Sequence, residues 1–150
     1  MVGVLIAGVM QGTNMVRKSQ LQTARNLTTS SPVSGVKDLM LWYETSLESS
    51  LKTTEAANNT KISVWYDNNK QSMAKNNATQ ASSTYQPKFI ENAFGSIPGI
   101  RFDGSAAFSL RFDGDFLART NYAIFVVEQR RIQGKKTSLY VELEVRQIQI

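Results

Sequence analysis

The hydrophobic pattern of the chain changes once, at Pro32, and this change limits the folds that the chain can adopt. Residues 1–10 form an uncharged apolar run that continues into a polar segment with helical periodicity. One helical row of this segment is marked by Val9, Thr13, Val16 and Gln20. Beyond Pro32, short apolar runs alternate with Asn, Ser, Thr and Gly. The pattern predicts one N-terminal α-helix that ends near residues 28–32, followed by a mainly β domain, a sandwich or a barrel.

The apolar runs of the second part predict seven strands. They cover residues 39–43, 62–66, 88–90, 99–102, 107–112, 122–129 and 139–145. Turns are predicted at Asp67-Asn68-Asn69, Asp103-Gly104-Ser105 and Asp113-Gly114-Asp115, because these residue types tolerate positive φ. The strand 122–129 has apolar residues on both faces, so we expect it to lie between two layers.

Several phrases of the second part occur in a recognisable order. They are DLMLWYE at 38–44, ISVWYDNN at 62–69, NNATQA at 76–81, SIPGIRFDGS at 96–105 and YAIFVVE at 122–128. Together they resemble the strands of the concanavalin A-like, laminin G-like jelly-roll family. The resemblance extends over about residues 38–131 and implies a partial jelly-roll β-sandwich with a lectin-like role.

The first part resembles a second family. The segment VGVLIAGVMQGTNMVRKSQLQTARN, residues 2–26, is similar to the second half of a type IV pilin or pseudopilin N-terminal helix. In that family the helix starts inside the membrane and emerges as an amphipathic rod. The basic leader, the processing glycine and the early glutamate of the family are absent, so we expect a longer reading frame upstream of Met1. The alternative is an ordinary amphipathic helix packed on a sheet.

These patterns divide the chain into four parts. The domain prediction is a truncated pilin-like helix at 1–31, a linker at 32–37, the partial sandwich at 38–131 and an atypical tail at 132–150. The tail is interpreted either as an edge strand, with Val141, Leu143 and Val145 on one face, or as an out-of-frame extension. An incomplete sandwich would leave apolar strand faces uncovered. We therefore expect the isolated chain to be marginally stable or prone to aggregation.

Composition excludes several kinds of site. The chain has no His and no Cys, which rules out Ser-His-Asp and Cys-His nucleophilic sites and His/Cys zinc sites within it. Its net charge is +5, and the basic residues are spread out, with Arg17-Lys18, Arg130-Arg131 and Lys135-Lys136 as the densest groups. We interpret them as a soluble basic surface and expect no nucleic-acid partner.

Because the chain has no His and no Cys, a bound metal would need oxygen ligands. Calcium is the metal cofactor that fits this requirement. Its candidate ligands are Asp67, Asp103, Asp113 and Asp115, although each has a sufficient role as a turn residue. A glycosidase needs paired carboxylates, and Glu142 and Glu144 share a strand face about 7 Å apart. The acidic cluster usual for hydrolases of the jelly-roll family is missing. We therefore predict that the protein is not an enzyme.

Two further residue types could bind a carbohydrate or carry one. Trp42 and Trp65 are of a type that stacks on sugars, but in alternating strands a core position is the favoured interpretation. Three Asn-x-Thr triplets, which match the acceptor sequence for N-glycosylation, begin at Asn26, Asn58 and Asn77. We interpret them only as polar loops.

The combined expectation is a surface or pilus-associated subunit, in which a pilin-like helix presents a recognition domain for carbohydrate or glycoprotein. Its partners would be other pilin-like subunits, contacted through the helix. Its location would be the surface or membrane of a bacterial cell, although this chain shows no complete signal or membrane-spanning helix. A non-functional fragment of such a protein is the first alternative, and a glycosidase of the jelly-roll fold is the second.

Overall fold

The structure, a computed structural model, describes residues 2–104, 107–118 and 120–129. It contains one helix, α1 (Val2–Thr29), and two small antiparallel sheets. The first sheet pairs β1 (Val64–Trp65) with β2 (Ala78–Thr79), and the second pairs β3 (Lys88–Phe94) with β4 (Ile97–Arg101). The predicted order of a helix followed by β structure is confirmed. The strand content of the described residues is modest, so the architecture is a mixed α/β one.

Helix α1 ends where the sequence predicted. The amide of Ser30 donates to the carbonyl of Asn26 at 3.0 Å, and that of Ser31 to the carbonyl of Thr28 at 3.2 Å. Pro32 then begins a short 3₁₀ turn, Pro32–Gly35, within the predicted linker. The 28 residues of α1 extend about 42 Å. Among the described residues, no helix is both long and apolar enough to cross a membrane.

Strands β3 and β4 form a hairpin. Their register pairs Lys88 with Arg101 and Phe89 with Ile100, and it shifts between Ile90 and Phe94. Gly95 turns the chain with a φ of 69°, a left-handed conformation that glycine adopts without strain. Both strands include residues that the sequence predicted as strands. Their connection through Gly95 was not predicted.

Two other segments extend these sheets. Ile62 donates its amide to the carbonyl of Pro87 at 2.9 Å, and Phe89 donates to Thr60 at 2.8 Å, so residues 60–62 run beside β3. The amide and carbonyl of Arg111 pair with those of Thr79 in β2. The predicted strand 107–112 is therefore reduced to a single bridge.

A small apolar core joins the two sheets. Leu51, Ile62 and Phe89 are buried together, and Trp65 and Ile100 pack against them from half-buried positions. Phe89 and Ile100 are register partners and therefore share one face of the hairpin. This alternation places Lys88 and Arg101, one position along each strand, on the opposite face.

Two predicted strands are not strands in the structure. Residues 39–43 belong to neither sheet, because Trp42 donates its amide to the Asp67 side chain at 3.0 Å instead of to a strand. Residues 122–129 belong to no strand and are exposed, with Phe125 and Val127 at 94% and 93% exposure. The prediction of a strand buried between two layers is wrong there, because no described layer covers this segment. The predicted strand 139–145 and the tail 132–150 lie outside the described residues.

Candidate functional site

The carboxylate of Glu44 organises the loop that follows it. It accepts hydrogen bonds from the Ser46 amide, the Ser46 hydroxyl and the Leu47 amide, each at 2.7 Å, and from the Ser50 hydroxyl. A carboxylate has about four acceptor positions, so these bonds occupy Glu44 fully. Its role is to fold the loop, which the sequence pattern does not indicate.

This loop holds the C-terminal end of α1. Arg25 donates from Nε to the Ser46 carbonyl at 2.9 Å and from Nη1 to Glu48 at 2.7 Å. The hydroxyls of Thr28 and Ser46 lie 3.1 Å apart. The helix therefore docks by side chains that lie within its last two turns, against a loop shaped by Glu44.

Residues 12–20 of α1 are exposed. The side chains of residues 12–20 all face solvent, with Met15 at 72% and Val16 at 56% exposure. At the end of this stretch, the Ser96 hydroxyl donates to the Gln20 side chain. Among the side chains of α1 that the structure describes, those of residues 12–20 present an exposed helical surface, and the contacts with the rest of the chain lie nearer the C-terminal end of the helix.

The calcium candidates do not converge. Asp67 is buried, and its Oδ1 accepts the amides of Trp42 at 3.0 Å and Asn69 at 2.9 Å. Asp113 accepts the amide of Asp115 at 3.0 Å. Bonding the amide two residues on is the turn role that the sequence favoured for both aspartates. In the part of the chain that the structure describes, which includes Asp103, no three acidic side chains form a group that would hold a metal.

The tryptophans are engaged in the fold. Trp65 stacks on Tyr43, with ring centroids 5.1 Å apart, and its indole N–H donates to the Glu44 carbonyl at 2.6 Å. Trp42 is half-buried. Burial, together with the negative charge of Asp67, raises the pKa of the Tyr43 phenol. A half-buried indole that is already stacked is not a free platform for a sugar ring.

The three acceptor asparagines occupy different settings. Asn26 lies within α1 and accepts from the Gln22 side chain at 3.0 Å, so its interpretation as a loop residue is wrong. Asn58 lies in an exposed turn, as the sequence indicated. Asn77 accepts the Asp67 amide at 3.0 Å. The glycosidase candidates Glu142 and Glu144 lie outside the described residues.

A row of cations is present that the sequence pattern does not reveal. Lys61 pairs across the backbone with Lys88, and Lys88 pairs with Arg101. We name these three residues the cation row. They come from three separate segments, so counting adjacent basic residues does not reveal them.

Another cation of the same region, Lys52, is paired with an acid. Lys52 lies 3.3 Å from Glu55. Burial raises the pKa of Glu55, but hydrogen bonds from Ser63 and Lys52 outweigh it and hold the pKa below its usual range.

No protein-family model matches this chain, and neither a curated protein nor a solved structure does.

Proposed function

We propose that this protein is a surface or pilus-associated subunit, in which α1 packs against the helices of other copies while the β part recognises a carbohydrate ligand. The observation that carries the assembly role is the exposure of residues 12–20, on a helix that contacts the rest of the chain through Arg25 and Thr28. The likeness of residues 2–30 to a pilin helix supports the same role. Helical surfaces with exposed apolar side chains associate because contact removes those side chains from water.

The recognition role rests on the likeness of residues 38–131 to concanavalin A-like domains. A partial jelly-roll sandwich and a position at the cell surface belong to this proposal. The role is binding and not catalysis. The carboxylates of Glu44 and Asp67 support this, because both are occupied by hydrogen bonds within the fold.

Self-association of the full chain tests the assembly role. We expect sedimentation velocity to show oligomers that grow with concentration, and the double variant Met15→Glu/Val16→Glu to stay monomeric. Met73→Glu is the matched control, because Met73 is fully exposed but lies outside α1. Circular dichroism checks that the helix persists in each variant. A monomeric parent chain, or a double variant that still associates, would overturn the assembly role.

One observation favours the alternative of a non-functional fragment. Phe125 and Val127 expose nearly their whole side chains, which is unusual for a self-contained domain. A fragment would associate without order. In that case aggregates of undefined size would persist when Met15 and Val16 are changed.

A further inference from the structure

The cation row crosses three neighbouring chain segments. Lys61 lies on the segment 60–62, Lys88 begins β3 and Arg101 ends β4. Residues directly opposite each other in antiparallel pairs have their side chains on the same face. All three cations therefore share the face of the hairpin that lies away from the core residue Phe89.

The pair formed by Lys61 and Lys88 brings like charges close together. The hydrogen bonds on either side of this pair run from Ile62 to Pro87 and from Phe89 to Thr60. Lys61 and Lys88 are therefore a non-hydrogen-bonded pair of the antiparallel ladder. Side chains approach most closely in this kind of pair, with Cβ atoms about 4.5–5.5 Å apart. Like charges in this arrangement destabilise a sheet.

No ion pair of the described residues neutralises these three cations. The ion pairs there join Arg25 to Glu48 and Lys52 to Glu55, and neither includes the cation row. The nearest acid along β3, Glu91, is an odd number of positions from Lys88, so alternation places it on the other face. Its carboxylate accepts the Asn58 amide at 3.2 Å. The row is thus a concentration of positive charge that takes part in neither ion pair of the described residues.

We propose that the cation row binds a linear acidic polysaccharide with one carboxylate on each sugar, a polyuronate. This inference rests on the proposed recognition function and names its ligand class. Neighbouring strands lie about 4.8 Å apart, so the row spans about 10 Å across the strands. A polyanion that runs across the strands places successive carboxylates opposite successive cations.

A saccharide is preferred to a nucleic acid because the proposed function is carbohydrate recognition. The next pair along this face of the hairpin is Ile90 with Gly99. The Phe94 ring packs over Gly99, since a Cβ there would lie 2.9 Å from its Cε2. Because bases of single-stranded nucleic acid stack on exposed aromatic rings, an oligonucleotide is the competing ligand in the test.

The test is calorimetric titration of the full chain with polygalacturonate oligosaccharides, at low and physiological salt. The triple variant Lys61→Gln/Lys88→Gln/Arg101→Gln should bind at least about tenfold more weakly. The control Lys37→Gln/Lys70→Gln/Arg111→Gln removes the same charge from exposed positions outside α1 and outside the row, and it should retain binding. Because it removes repulsion, the row variant should unfold at the same urea concentration as the parent or at a higher one.

Each result has a defined meaning. Equal binding by the row variant and the control would overturn the cation row as the site and leave carbohydrate recognition standing. Equal binding of a neutral cello-oligosaccharide by the parent would show recognition that does not depend on charge, and would also overturn the row. Tighter binding of a single-stranded oligonucleotide would overturn the ligand class. Binding of no saccharide would overturn both this inference and the recognition role, and would leave the assembly role untouched.

Discussion

Glu44 is the single side chain on which the docking of α1 most depends. Replacing it by glutamine keeps the shape of the side chain but removes the charge. It also puts an NH2 group, which cannot accept a hydrogen bond, among the donors of Ser46, Leu47 and Ser50. Hydrogen bonds to charged groups contribute about 1.5–3 kcal/mol each, so we expect Glu44→Gln to lower the free energy of unfolding by about 2–3 kcal/mol. Urea denaturation measures this change.

Glu48→Gln is the matched control for that prediction. Glu48 is mostly exposed and makes one ion pair, with Arg25, so its loss should cost less than about 1 kcal/mol. Equal losses in the two variants would contradict the role given to Glu44.

For single residues, the sequence predicted interactions between residues that are close along the chain. Asp67 and Asp113 were expected to act as turn residues, and both accept an amide two positions along the chain. The occupation of Glu44 was not predicted, because Ser and Leu residues within a loop carry no signal of how that loop closes.

Among the secondary-structure elements, the β3–β4 hairpin depends on Gly99. A Cβ at this position would lie 2.7 Å from the Ala93 Cβ and 2.9 Å from Cε2 of Phe94. We expect Gly99→Ala to lower the free energy of unfolding by about 1–3 kcal/mol, because the hairpin must open to admit the methyl group. Thermal unfolding followed by circular dichroism measures the loss.

Gly35→Ala serves as its control, since a Cβ there meets no atom within 4 Å. The melting temperature of this variant should stay near that of the parent chain. A similar decrease in both variants would mean that the close approach at Gly99 is not what limits the substitution.

The strands of the hairpin were predictable and their neighbours were not. Residues 88–90 and 99–102 carry the apolar and β-branched types typical of strands, and both fall largely within the hairpin. Residues 39–43 carry the same pattern, yet the Asp67 side chain takes the Trp42 amide that a strand would have used. Strand propensity describes a half-buried surface and does not choose the partner.

For the molecule as a whole, the exposed segment 122–129 is the expected source of aggregation. Exposed segments that are mostly apolar and rich in β-branched residues pair with other chains. We expect Phe125→Lys/Val127→Lys to reduce light scattering at high concentration and to leave the urea midpoint unchanged, because both side chains are nearly fully exposed. Met73→Lys, at an isolated exposed position, should not reduce the scattering. A lower urea midpoint for the double variant would mean that the segment is part of the folded core.

Local physical chemistry was enough to predict the helix and its end near Pro32, the turn roles of Asp67 and Asp113, and the exclusion of His- and Cys-dependent sites. Each of these depends on residue type or on neighbours within a few positions. The positive φ angles expected at the predicted turns occur instead at Asp38, Asn59 and Gly95. Only the tertiary structure shows three other features. They are the packing of the Glu44 loop against α1, the exposure of residues 122–129 and the alignment of Lys61, Lys88 and Arg101. They depend on which distant segments pair, and that choice follows from the burial and hydrogen bonding of the whole molecule, not from the pattern of any one segment.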